Sequence, residues 1–167
     1  MKIYYLVPGP MGPEPEGPAE MDRRLGLLRD YATIDTQVAI GDVPEGPYSI
    51  ESMYEEYLSI PATIQYAVAL EQEGWDALIL GCYGDPGLYA FRELVSIPIV
   101  GPGEATALVA ACLGHRFSVI TVTKSLIVPI QRLIRDVGVG DKLASVRAVD
   151  VPVLRLHQDR ENTIETT

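Results

Sequence analysis

Short apolar runs alternate with amphipathic stretches along the whole chain. Residues 2–7, 36–40, 76–81 and 97–101 are compact and apolar, and each predicts a buried strand. Between them, residues 19–31, 50–73 and 87–95 carry helical periodicity. Strands with little polar alternation, separated by helices, predict an α/β lobe built on a doubly wound parallel sheet. The alternation then starts again: helix at 103–114, strand at 117–122, helix at 126–137, strand at 144–151 and the opening of a helix at 159–165. The expected organisation is a first lobe over residues 1–102 and, over 103–167, an incomplete second lobe of the same kind that stops before its third strand.

Local signals refine this outline. Pro61 falls inside the longest helical pattern, where it removes a backbone donor, and predicts a kink or two helices. Ser52 and Glu55 have capping-box spacing and mark a helix start. Residues 8–18 hold five prolines and three glycines, which predicts an exposed loop over the end of the first strand rather than helix or central strand.

Composition narrows the function. Acidic residues outnumber basic ones by 23 to 13, for a net charge of -10. Such a surface repels a phosphate backbone and anionic membranes, so neither nucleic acid nor membrane is an expected partner. The apolar runs at 3–7 and 105–113 are too short for a signal-peptide core or a bilayer span. Two cysteines, Cys82 and Cys112, in unlike contexts do not suggest a disulfide framework; a soluble cytoplasmic protein with reduced thiols is expected. His115 and His157 are too few and scattered to build a metal site with those thiols.

In an open α/β sheet, ligands bind at the carboxyl ends of the strands. Cys82 ends the third predicted strand and is followed by Tyr83-Gly84-Asp85-Pro86-Gly87, then a helix pattern. Gly84 and Gly87 let backbone approach a ligand, and a helix N-terminus favours the thiolate that a base or nucleophile requires. A small hydrophobe buried at a strand end is the bland alternative. Asp85 fits best as an N-cap with Pro86 at the first helical position, because a carboxylate beside Cys82 would oppose thiol ionisation. Cys112 lies in an apolar helix, where core packing is expected. His115 suits a helix C-terminus. Tyr48, Tyr54, Tyr57 and Tyr66 are expected to pack against the sheet, with closure over a pocket as the alternative. Residues 101–106 imitate a dinucleotide fingerprint, but no acid ends the next strand and Pro102 deletes an N–H.

The run Gly81-Cys82-Tyr83-Gly84-Asp85-Pro86-Gly87-Leu88, followed by Ile97-Pro98-Ile99-Val100-Gly101-Pro102-Gly103-Glu104-Ala105, closely resembles the hydantoin racemase branch of the Asp/Glu/hydantoin racemase family. Residues 113–121, 46–52 and 142–147 continue the similarity in order. The resemblance implies two flavodoxin-like lobes around a cleft, each supplying one cysteine. One thiolate takes a proton from the stereogenic carbon and the opposite thiol returns one to the other face, with no cofactor or metal. Two-sided transfer needs an acid and a base poised near the working pH.

By the same resemblance Cys82 is the catalytic thiol of the first lobe and Thr121 a substrate contact. Tyr83, Gly84 and Asp85 join them as candidate contacts, as do Pro8 and Gly9, where the family carries an Asn-Pro-Asn type motif. The second family cysteine would fall on a third strand of the second lobe, which this chain does not reach. Residues 1–167 then carry one half of the acid–base pair, as a fragment or a shortened relative. The implied substrate is a 5-substituted hydantoin or an amino acid. Alternatives are a single-thiol decarboxylase, a cis–trans isomerase of a small dicarboxylate, or a non-catalytic binding protein. The uncovered edge and apolar helix face predict a homo-oligomer, marginal stability or a disordered tail.

Overall fold

The computed structural model describes residues 1–12, 14 and 17–156. The chain divides into two compact units, Met1–Tyr48 with Tyr57–Pro102 and Ser49–Glu56 with Gly103–Thr167. The helix expected at 159–165, and any property of the tail, fall outside the described residues.

In the first unit, strands β1 (Lys2–Val7), β2 (Gln37–Asp42), β3 (Ala77–Leu80) and β4 (Ile99–Val100) form one parallel sheet in the order β2-β1-β3-β4. The helices are α1 (Gly17–Tyr31), α2 (Met53–Gln72) and α3 (Leu88–Leu94). The core gathers Leu6 of β1, Leu78 and Leu80 of β3 and Ile99 of β4 against Ala67 and Leu70 of α2 and Leu88 and Phe91 of α3. Leu6, Leu78, Leu80 and Phe91 are fully buried, each contributing about 1.5–3 kcal/mol by removal from water. Alternation along the strands turns Tyr5 to the opposite face from Leu6. Tyr4, on the Leu6 side, packs edge-on against Trp75 at 4.9 Å between ring centroids.

Three local expectations change. Of the kink or two helices expected at Pro61, the second does not occur: residues 53–72 form one helix with Pro61 inside it. Pro61 and Tyr57, whose carbonyl loses its partner, both lie on the exposed side, where water can replace the missing N–H. The loop after β1 is not simply exposed: Pro8, Gly9 and Pro10 are buried. The Asp42 carboxylate accepts hydrogen bonds from Met11 N (2.7 Å) and Gly12 N (2.6 Å), fastening the loop to the end of β2. Its last residues, Gly17 and Pro18, begin α1, where proline is tolerated because the first helical turn has no intrahelical use for its N–H.

In the second unit, α4 (Pro102–Leu113) and α5 (Ile127–Asp136) accompany a parallel pair, β5 (Phe117–Thr121) and β6 (Leu143–Ala148). Ile130 and Ile134 of α5 are buried with Val119 and Val146 of the strands. The segment Ser49–Glu56, which runs into the first turn of α2, belongs to this unit; in it Glu51 O accepts from the hydroxyls of Thr123 and Ser125, and Glu51 Oε1 accepts from Val153 N (2.9 Å). The expected capping box forms: Glu55 N donates to Ser52 Oγ (3.3 Å) and Ser52 Oγ to Glu55 Oε2 (3.0 Å). Helix α4 buries its smallest side, Gly103, Ala107 and Ala111, and leaves Leu108, Val109 and Leu113 exposed. No helix among the described residues is long and apolar enough to cross a membrane.

Candidate active site

The carboxyl ends of β1 and β3 lie side by side because Leu6 pairs with Leu80. This brings Pro8 and Gly9, after β1, to the same edge of the sheet as Cys82, Tyr83, Gly84 and Asp85, after β3. Thr121 ends β5 in the second unit, where it is buried and its carbonyl accepts from Val149 N (2.9 Å). Six of the seven residues singled out from the sequence therefore share one strand-end cluster, and Thr121 occupies the corresponding end of the other sheet.

Cys82 is half-buried. What places it is the packing of Gly81 just before it: Gly81 N donates to Leu6 O at 2.7 Å. A Cβ on Gly81 would stand 2.9 Å from Leu6 O, Val7 Cα and Tyr5 Cε1, so no larger residue fits without displacing β1. After the thiol the chain turns sharply, with Asp85 N donating to Cys82 O (3.2 Å) and Leu88 N to Asp85 O (3.1 Å).

Asp85 is not the cap of α3. It adopts φ 52, and the N-cap is Gly87, with φ 72 and no side-chain cap. A capping aspartate needs extended backbone, whereas Asp85 is left-handed, a conformation aspartate tolerates better than most residues. Its side chain is buried against Gly101, where a Cβ would lie 2.5 Å from Asp85 Cγ.

Other expectations are also revised. Cys112 is exposed rather than packed in a core, since it follows the buried stripe of α4 by one residue and so faces away from it. Tyr48, Tyr54, Tyr57 and Tyr66 are exposed rather than buried, Tyr66 least so.

The family model described as Asp/Glu/Hydantoin racemase matches residues 23–167. The chain belongs to this racemase family. It is 40% identical over 137 residues to a hydantoin racemase of Pseudomonas sp. (strain NS671), covering 82% of this chain and 55% of that protein. Among solved structures, it is similar to the allantoin racemase from Klebsiella pneumoniae, with a TM-score of 0.88, 26% identity and coverage of 99% of this chain and 66% of that one. The allantoin racemase from Pseudomonas fluorescens gives a TM-score of 0.85 at 30% identity, covering 99% and 68% respectively. The chain spans about half the length of the curated hydantoin racemases it matches.

Sequence reasoning missed a set of polar groups on α1 and β1 of this racemase-family chain. Glu20 in the first turn of α1 binds Arg23 (Nε–Oε2 2.6 Å) and Arg24 (Nε–Oε1 2.7 Å). Those hydrogen bonds, Arg23's first and in spite of burial, hold the Glu20 carboxyl at about 2. The Tyr5 phenol is pushed up, by burial first; Cys82 and Glu20 push it further and Arg24 opposes them. The local signal was Glu20 with arginines three and four positions on.

Proposed function

We propose that this chain carries out one face of a cofactor-independent racemase reaction, with Cys82 exchanging the proton at the stereogenic carbon of a 5-substituted hydantoin or an amino acid. The observation that carries this is the half-buried Cys82 at the carboxyl end of β3, in a chain of the Asp/Glu/hydantoin racemase family. In the forward step the thiolate removes the proton and becomes a thiol, while the carbon's electron pair passes into the adjacent carbonyl. In the reverse step the same thiol returns a hydrogen to the same face. Inversion requires a second acid on the opposite face, as the family's two-cysteine scheme implies. Backbone N–H groups near the site would stabilise the enolate as its charge develops. The named relatives favour a cyclic ureide, since both hydantoin and allantoin are of that class.

The experiment is proton exchange in D2O. An enantiopure aliphatic 5-substituted hydantoin is incubated with the protein, and C5–H loss and optical rotation are followed together. Cys82→Ala corrects for spontaneous exchange. Exchange above that control with retained rotation is the expected result. Exchange with loss of rotation means that the second acid is also supplied and extends the proposal to full racemisation. No exchange above the control, with hydantoin or amino acid, overturns it.

A further inference from the structure

The outer face of α2 differs from that of α1 in the same unit. Between Tyr57 and Glu71 its exposed positions are Tyr57, Leu58, Pro61, Gln65, Tyr66 and Ala69, and none of them is charged. Helix α1 shows the ordinary pattern, with Asp22, Arg23, Arg29 and Asp30 among its exposed residues. A helix face turned to water is normally rich in charge, all the more in a chain of net charge -10. Tyrosine enriched and Asp, Glu and Lys depleted is the composition that separates an interface core from other surface.

Charge decides what this face fits. A basic partner would be held by acidic surface, which the face lacks. Two copies of this chain repel each other wherever their acidic surfaces meet, and approach best where neither carries charge. A two-fold contact sets a patch against itself, so the patch has to complement itself. This one does. Tyr57 and Tyr66 bring phenolic donors, and Pro61 leaves the Tyr57 carbonyl without its helical donor, open to one from outside. Size agrees as well. Tyr57 is 61% exposed, Leu58 49% and Tyr66 38%, and with its smaller members the face offers about 500 Å2. Each partner in a standard interface gives about 800 Å2. Helix α3 extends the surface: it lies beside α2, since a Cβ on Gly87 would stand 2.9 Å from Ile60, and it exposes Tyr89 and Leu94. We propose that the outer face of α2 is the contact through which two copies of this chain associate.

The test is the mass of the full chain in solution. Sedimentation equilibrium is run from about 1 µM to about 100 µM, which reaches the weak end for interfaces of this size. The mass should rise with concentration from that of one copy to that of two. Leu58→Glu sets like charges against each other across the contact and should weaken association at least about tenfold. Tyr66→Glu should act the same way and stands in if Leu58→Glu does not fold by circular dichroism. Leu113→Glu is the control: it charges the outer side of α4, which exposes Leu108, Val109 and Leu113, and should leave association unchanged. The mass of one copy throughout the range overturns the proposal. Association that survives charge on α2, or that yields to Leu113→Glu instead, overturns it too.

Discussion

Replacing Gly81 with alanine probes the contact that sets where Cys82 stands. The new Cβ would lie 2.9 Å from Leu6 O, Val7 Cα and Tyr5 Cε1. Two of those atoms are backbone in β1, which is paired with both β2 and β3, so they cannot swing aside as a side-chain tip can. The end of β3 has to move instead, stretching the 2.7 Å bond from Gly81 N to Leu6 O. Overpacking of this kind costs about 1–3 kcal/mol, and a weakened backbone hydrogen bond adds about 1 kcal/mol. Gly81→Ala should therefore lose about 2–4 kcal/mol of stability and alter the alkylation rate of Cys82. Urea unfolding followed by the fluorescence of Trp75, which packs on Tyr4, gives the stability. A variant within about 0.5 kcal/mol of the parent, the range of an ordinary surface change, with an unchanged alkylation rate would refute the claim that this contact places the thiol.

Two further outcomes follow from the polar contacts. Glu20→Gln should destabilise by about 1–2 kcal/mol at neutral pH, a figure discounted because Arg23 is 57% exposed and solvent screens it. The folded carboxyl lies near 2 against an ordinary 4.5, so the ion-pair contribution is complete above about 4.5 and disappears as pH falls through about 2. The gap between parent and variant in urea unfolding should narrow across that window. Ser52→Ala removes the hydroxyl that accepts from Glu55 N and should cost about 1 kcal/mol, lowering Tm by about 2–4 °C in a thermal melt.

Much of the first unit was legible because its strands are short aliphatic runs: β1 falls on the expected residues 2–7, and β3 within 76–81. What was not legible depends on partners or torsions that a linear pattern does not carry. Cys112 was misplaced because the apolarity of α4 suggested a buried helix without saying which stripe is buried. Gly103, Ala107 and Ala111 take the inside because their small size lets the helix pack closely, and the larger Leu108, Val109 and Leu113 are left outside. Asp85 was taken for a cap because its residue type favours that role, and only its left-handed φ excludes it. The buried turn at Pro8–Pro10 depends on Asp42, 31 residues beyond Met11. The position of Cys82 was readable because it needs only a strand end followed by a glycine-rich turn.

The packing of Asp85 against Gly101 has a consequence for how this loop can change. A side chain at 101 would occupy the space the buried carboxyl already fills, and the left-handed backbone at 85 narrows the alternatives there mainly to glycine and asparagine. The two positions, sixteen apart in sequence, therefore cannot be chosen independently. Alanine at 101 needs glycine at 85 and a shift of the Leu88 tip, 2.7 Å from the new Cβ, and that exchange surrenders the buried carboxyl. A library that varies position 101 alone will score alanine there as a failure. Paired variation at 85 and 101 opens the route between them.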